Sequence, residues 1–398
     1  MKLTIMIALY SIVAIASVAI LYGPLKRASG KEGKAGPGVI IPLILVLAAY
    51  AFPVIGALTP DGPTCWFFQK WGNIFLGYLL YFFGVLLIIR LVILIISLFK
   101  RSEVHNKWRP GKKAWSVILT LLLILSVSLN VGGSFTAHDV KTTYYELPKE
   151  TLAQSEPFRM VLIGDLHIGV NSSPQIYRDM VERVNEQEAD LVVIAGDLVT
   201  SSFGAMRDPK VYSDILSGIK SKLGTYVVYG NHDVDEPLLG GFTFAGAENA
   251  LRNPNMEGWV NDCGWILLKD EYVRIPELND LVLAGRRDET RPGDGVAVRA
   301  TMEELLQGTD PSEPILLLQH EPSDLDMIGD QGVDLSVSGH THDGQIFPGN
   351  IFCRIKGPQS YGLKEWGSAK AIVTSGVGFY GPPIRVATIS EIAVIDFK

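Results

Sequence analysis

The chain has 398 residues, a formal net charge of −7, 19% charged residues and a mean hydropathy of +0.23. The acidic balance, with no basic stripe in its polar part, argues against a nucleic-acid partner. Three cysteines and no C-x-x-C argue against a cysteine-built zinc site; Cys263 and Cys353 either pair, in an oxidising compartment, or remain two unpaired buried thiols.

Residues 1–133 are dominated by apolar runs, four of which reach the roughly 20 residues that cross a bilayer. They are 3–22, 38–58, 72–99 and 115–133. The first is longer than the apolar run of a cleaved signal peptide and is preceded only by Lys2, so it reads as a span. Arg90 lies in the third, where a tilted span lets it snorkel to one face; the other reading is a functional intramembrane arginine. Lys26, Arg27, Lys31 and Lys34 fill the first loop, and Lys100, Arg101, Lys107, Arg109, Lys112 and Lys113 the third. The second loop offers only Asp61 and Lys70. The positive-inside rule puts the first and third loops in the cytoplasm, which predicts a multi-pass cell-membrane protein with its C-terminal domain extracytoplasmic.

Residues 134–157 form a polar linker with a first strand at "TTYYEL", and 158–398 have the composition of one folded domain. There, apolar β-branched runs repeatedly stop at glycine and polar residues: "FRMVLIGDLHIG" (158–169), "ADLVVIAGDLVT" (189–200), "GTYVVYGNHDV" (224–234), "EPILLLQHEP" (313–322) and "VDLSVSGHTHDG" (333–344). Such runs predict strands buried on both faces. Between them, Ser173 as N-cap and Pro174 at the first position open a helix with Ile176, Met180 and Val184 on one face. "SDILSGIKSKLG" places Leu216, Ile219 and Leu223 on a second helix stopped by Gly224. The alternation predicts a layered α/β domain, with "EWGSAKAIVTSGVGF" and "IRVATISEIAVIDF" as hairpin strands extending a sheet.

Ligands of such sheets bind at the carboxyl ends of the strands. Asp165, His167, Asp197, Asn231, His232, His320, His340 and His342 all fall at predicted strand ends, so five turns deliver them to one rim. Five of the seven histidines are among them, and imidazole beside carboxylate in this density predicts a metal centre.

The segments "DLH" (165–167), "GD" (196–197), "GNHD" (230–233), "QHEP" with His320, and "GHTH" (339–342) occur in the order D-x-H, G-D, G-N-H-[DE], H, G-H-x-H. In this the chain resembles the calcineurin-like metallophosphoesterases over about 158–398. "GHTHDGQ" and "GVGFYGPPIRVATISEI" look closest to a membrane-associated branch that includes enzymes similar to UDP-diacylglucosamine pyrophosphohydrolases. The resemblance implies a four-layer α/β sandwich of mixed sheets flanked by helices, holding two divalent ions (manganese, iron or zinc). It assigns Asp165, His167 and His342 to one ion, Asn231, His320 and His340 to the other, and Asp197 to both. It further implies a hydrolase in which metal-activated water attacks phosphorus in line, while His232, not a ligand, stabilises the phosphoryl charge or protonates the leaving oxygen.

Three positions depart from the pattern. Thr200 stands where many protein-phosphatase relatives have the aspartate of G-D-x-x-D, which weakens that reading and leaves the residue orienting His232 unidentified. Asp343 replaces the usual glycine after G-H-T-H, as a partner behind the ligands or a solvated turn residue. Gly164 replaces the commoner serine, with no expected effect on coordination.

The expected substrate is a phosphate ester or pyrophosphate, on a small molecule or a lipid. The spans either contribute lipid selectivity beside the rim or only anchor the domain. The insert 235–259, with Leu238, Leu239, Phe242 and Phe244 among glycines, is an acyl-chain lid or an ordinary packed excursion. Arg286 and Arg287, after "LVLAG", are candidate phosphate contacts or solvated loop residues. The alternative class, a membrane transporter or sensor with an accessory phosphoesterase domain, is disfavoured because the spans carry no acidic residue and no ligand position is lost.

Overall fold

The computed structural model describes residues 2–30, 35–99, 110–200, 203–243, 251–310 and 312–398. Of the residues singled out above, Lys31, Lys34, Lys100, Arg101, Lys107, Arg109 and Phe244 lie outside that set. In chain order come four long helices, α1 (Lys2–Ser29), α2 (Pro37–Leu58), α3 (Pro63–Phe99) and α4 (Lys112–His138). Then follow β1 (Val140–Leu147), β2 (Phe158–Ile163), α5 (Pro174–Glu186), β3 (Leu191–Ala195), α6 (Pro209–Leu216) and β4 (Thr225–Val228). The middle contains the short β5 (Leu238–Leu239) and β6 (Phe242–Thr243), α7 (Met256–Asp262), β7 (Ile266–Leu267), β8 (Glu271–Ile275) and β9 (Leu281–Gly285). The last part is α8 (Met302–Leu305), β10 (Ile315–Leu318), β11 (Leu335–Ser338), α9 (Gly349–Lys356), β12 (Gly362–Trp366), β13 (Ala369–Val373) and β14 (Ser390–Phe397).

The chain divides into two compact units. The first comprises the chain through Gly133, with Pro237–Phe244 and Gly381–Pro383. All four long helices are long and apolar enough to cross a membrane. They outrun the apolar stretches that predict them: α3 starts at Pro63 because nothing in "PTCWFFQKW" breaks a helix, although Gln69 and Lys70 end the apolar run there. Some polar groups inside this unit pair with one another, which lowers the cost of an apolar surround. The Tyr50 and Ser17 hydroxyls lie 2.8 Å apart, and Ser126 donates to the Tyr78 carbonyl at 2.7 Å.

The second unit comprises Ser134–Glu236, Ala245–Tyr380 and Ile384–Lys398. Its two six-stranded sheets run β1-β14-β2-β3-β4-β7 and β12-β13-β11-β10-β9-β8. The centre of each is parallel: β2, β3 and β4 in one, β9, β10, β11 and β13 in the other. Strand alternation then builds three apolar layers. Val161, Ile163, Val192 and Ile194 point at Ile176, Met180 and Val184 of α5 and Trp259 of α7. Met160, Leu162, Leu191 and Val193 point the other way, at Leu283, Leu316, Leu318 and Val337 of the opposite sheet. Val282, Ala284, Ile315 and Leu317 cover Met302 and Leu305 of α8. The result is helix, sheet, sheet, helix, with β2, β3 and β4 ending alongside β10 and β11.

Ser173 caps α5, its hydroxyl accepting from the Gln175 amide, with Pro174 as first residue. The second helix differs from expectation. It starts at Pro209 behind the Asp208 cap and stops at Leu216, so Ile219 and Leu223 are not helical. Asn185 accounts for this: its side chain donates to the Gly218 carbonyl and accepts from the Lys220 amide, backbone groups a continuing helix would pair internally. The two C-terminal strand regions also do not extend one sheet. β12 and β13 form a hairpin at the edge of the second sheet, whereas β14 crosses to the first and lies parallel to β1 and antiparallel to β2. Cys263 and Cys353 are free thiols, Cys263 buried under α7. The end of the 235–259 insert, from Met256, is ordinary packed structure, with Met256 and Trp259 of α7 in the core.

Candidate metal centre

The five turns leaving β2, β3, β4, β10 and β11 converge. Two groups of side chains offer donor atoms within 4.8 Å of one another: Asp165, His167 and His342, and Asp197, His320 and His340. Within the first, the Nε2 atoms of His167 and His342 are 3.0 Å apart, and Asp165 Oδ1 is 3.6 Å from the latter. Within the second, His320 Nε2 lies 3.1 Å from Asp197 Oδ2 and 2.9 Å from Asn231 Oδ1, which is 3.0 Å from His340 Nδ1. Asp197 Oδ2 also faces His167 Nε2 at 3.5 Å, so this carboxylate touches both groups.

Backbone geometry forces the convergence. Asp165, His167, Asp197, His340 and His342 all have positive φ, from 46° to 72°. This left-handed region costs a non-glycine residue on the order of 1–3 kcal/mol, and it turns consecutive side chains off the strand ends towards one point. The glycines of the motifs have a matching reason. A Cβ at Gly230 would run into the Asp197 side chain and amide, and one at Gly339 into the Asp165 carboxylate. The backbone amides of His340 and His232 donate to Asp165 and Asp197 at 2.9 Å and 2.7 Å and fix both carboxylates.

The donor set suits cations. His320 Nδ1 sits 2.8 Å from the Ala195 carbonyl, which can only accept, so Nδ1 carries the hydrogen. Its Nε2 lone pair then faces a carboxylate and an amide oxygen, three electron-rich atoms in a buried place that a cation would reconcile. Burial drives His167 and His340 down to about 3. Burial and the neighbouring His167 hold His342 well below the ordinary imidazole value. Neutral imidazole is the form that ligates. His320 goes the other way: burial works against its charged form, but the Asp197 carboxylate overrides it and holds His320 well above the ordinary value. The proton there takes the place a metal ion would have. Burial raises Asp165 to about 7, whereas Asp197, despite its own burial, is held well below the carboxylate range by His320 and His232.

Around this cluster lie residues that the motifs do not reveal. His232 Nδ1 is 2.9 Å from Glu236 Oε1, and Glu236 Oε2 accepts from Arg291 at 2.5 Å. Arg291 also donates to the Asn231 carbonyl at 2.9 Å, and the Tyr380 ring stacks on His232 with centroids 4.4 Å apart. The vacancy left by Thr200 is therefore filled from another direction: Glu236 holds His232, while the Thr200 hydroxyl sits 3.1 Å from His167 Nδ1. Asp233 accepts from the Gly230 and Val199 amides and ties the β4 turn to the β3 turn. The sequence signal for Glu236 is only a carboxylate four residues after a histidine, and outside a helix that spacing carries no geometry.

Asp343 is buried and takes the guanidinium of Arg354 at 2.9 Å. Arg286 and Arg287 are not brought into the cluster. Arg286 is buried against Asp324 at 2.7 Å, and Arg287 pairs with Asp294 at 2.8 Å beside Asp270. Their charges are already balanced by these carboxylates, which removes the reason for reading them as phosphate contacts.

Arg385, fully buried, backs His342, with Nη2 3.2 Å from His342 Nδ1. Its guanidinium donates to the carbonyls of Ser375, Gly376, Gly378 and Ile389. Burial lowers its pKa to about 10. Arg385→Met would leave the Ser375 and Gly378 carbonyls without this donor, at about 1–3 kcal/mol each when buried and unpaired, while Gly376 keeps the Glu391 amide and Ile389 the Ser375 hydroxyl. We expect a clear fall in the unfolding temperature of the purified chain in detergent; a variant as stable as the parent would show these bonds to be replaceable.

Residues 158–344 match the family model described as calcineurin-like phosphoesterase. A transmembrane protein with metallophosphoesterase domain from Danio rerio is 33% identical over 295 residues, covering 70% of this chain and 62% of that protein. An uncharacterized metallophosphoesterase of Campylobacter jejuni is 29% identical over 302 residues, 72% of each chain. One from Aquifex aeolicus is 28% identical over 282 residues, 69% of this chain and 98% of its own. The chain thus spans less than two thirds of the Danio rerio relative.

Proposed function

We propose, from the match of residues 158–344 to the calcineurin-like phosphoesterase model, that the chain is a membrane-anchored, metal-dependent hydrolase of phosphoester or phosphoanhydride bonds. The observation that carries the reading is the meeting of two donor groups at Asp197, whose Oδ2 faces His167 and His320. Asp165, His167 and His342 would hold one divalent ion, Asn231, His320 and His340 the other, and Asp197 both. Manganese, iron and zinc all suit imidazole, carboxylate and amide donors. Held there, two such ions would supply Lewis acidity that activates water at neutral pH and balances charge on the phosphoryl oxygens.

The protein's own part is positioning and proton transfer. Glu236 accepts from His232 Nδ1 and leaves Nε2 as the nitrogen that exchanges a proton with the leaving oxygen. Tyr380 holds the plane of that ring, and Arg291 holds Glu236. The four apolar helices, and the Danio rerio relative named as a transmembrane protein, support a multi-pass membrane location. The cation-rich first and third loops favour an extracytoplasmic catalytic domain. The substrate in this reading is a phosphate or pyrophosphate on a lipid or other small molecule, with membrane lipid as neighbour and no nucleic acid.

The test is a screen of the purified full chain, loaded in turn with Mn²⁺, Fe²⁺ and Zn²⁺, against p-nitrophenyl phosphate, bis-p-nitrophenyl phosphate and a pyrophosphate diester. Hydrolysis that appears with metal and disappears with chelator is expected. Metal-loaded protein inert to all three classes would sink the reading and favour a binding or sensing role.

A further inference from the structure

In the second unit, exposed large apolar residues are mostly single and scattered, as on any soluble surface. One stretch departs from this. Phe347, Ile351, Phe352 and Ile355 are 47%, 46%, 59% and 75% exposed, all within nine residues on and just before α9. Ile351, Phe352 and Ile355 follow an i, i+1, i+4 spacing and share one face of that helix. Asn350 is its one buried residue. The helix is turned inside out for a soluble domain: its apolar side faces away from the core.

Charge says what kind of surface it fits. Residues 345–364 contain no aspartate or glutamate and three cations, Arg354, Lys356 and Lys364, in a chain of net charge −7. Arg354 and Lys356 lie in the last turn of α9. An outward apolar face bordered by cations is the chemistry of a helix lying in the interface of an anionic bilayer. In sequence, one residue, Asp139, separates the end of α4 from the start of β1.

We propose that α9 is an interfacial helix. Phe347, Ile351, Phe352 and Ile355 seat in the headgroup–acyl boundary of the membrane, with Lys356 and Lys364 against anionic headgroups while Arg354 stays with Asp343. The helix is joined to the candidate site, since Arg354 pairs with Asp343, the neighbour of His342. On the functional reading proposed above, seating α9 brings the His342 loop to headgroup level, where the phosphate of an amphiphilic substrate lies.

The test needs no turnover. The full chain carrying Cys353→Ser and Ile355→Cys is labelled with an environment-sensitive fluorophore and placed in phosphatidylcholine–phosphatidylglycerol nanodiscs. Cys65 and Cys263 are buried and do not compete for label. Burial of the label by about 5–10 Å should shift its emission to the blue, and doxyl-labelled lipid should quench it several-fold. A label at Val298→Cys, an exposed apolar position outside α9, should show neither effect. Phe352→Cys repeats the test if the Ile355 variant folds poorly. Emission at both α9 positions as aqueous as at Val298 would overturn the proposal. So would protection that vanishes when each disc holds one copy, which would assign the face to a second copy of the chain. An inactive protein with quenched α9 labels would fail the functional reading and leave the docking intact.

Discussion

Asp197→Ala is expected to lower turnover of bis-p-nitrophenyl phosphate by at least about 10³-fold, because charge stabilisation in a dry site is the largest catalytic contribution. It is also expected to reduce bound metal to one ion per chain or fewer by elemental analysis. The Asp197 carboxylate lies against imidazole nitrogens of both donor groups, and it stays ionised because His320 and His232 hold it well below the carboxylate range. Its loss leaves His167 and His320 without their shared counter-charge and frees the His232 amide. Alanine also pays for the left-handed backbone at φ 51°, so Asp197→Asn is the sharper variant. Asparagine tolerates that conformation and can still accept from the His232 amide, but it carries no charge. Both variants should be inactive; an asparagine variant with full activity and both ions would remove Asp197 from the chemistry.

Glu236→Gln should reduce kcat by about 10²-fold or more, within the range general acid–base catalysis contributes. Bound metal should be unchanged, because Glu236 touches no donor in either group. The carboxylate fixes the hydrogen on His232 Nδ1, whereas an amide can offer either a donor or an acceptor and no longer selects the tautomer. If His232 protonates the leaving oxygen, the loss should be large for an alkyl phosphodiester, whose leaving group needs that proton, and small for a nitrophenyl ester. A merely structural role would depress both substrates alike. Glu236→Asp should recover part of the loss, and His232→Ala combined with Glu236→Gln should cost little more than His232→Ala alone. Additive losses would sink the coupling.

Much of the architecture can be read along the chain, for reasons that also mark where reading stops. The membrane helices declare themselves because a bilayer demands an uninterrupted apolar length, a one-dimensional requirement. β2, β3, β4, β10 and β11 are legible because each is buried on both faces and ends abruptly in Asp, Asn or His with glycine beside it. The structure brings those ends together. Non-local pairing is what escapes. β14 belongs between β1 and β2, from the opposite end of the domain's sequence, and nothing in its apolar run names those partners. Arg286 and Arg287 look available in sequence, yet Asp324, Asp294 and Asp270 reach them from elsewhere. Asn185 ends α6 from the C-terminal turn of α5. Glu236 and Arg385 act on histidines through contacts that no spacing rule encodes.

The left-handed backbone at Asp165, His167, Asp197, His340 and His342 limits how this rim can change over time. Besides glycine, the side chains that tolerate that conformation best are asparagine, aspartate and histidine. The main chain therefore filters substitutions before any ion does. Cysteine, glutamate or threonine, even where it suits a new metal, is disfavoured on conformational grounds. Drift in metal preference at these five positions is confined to a very small chemical alphabet, and wider experimentation falls to Asn231 and His320, which lie outside that constraint.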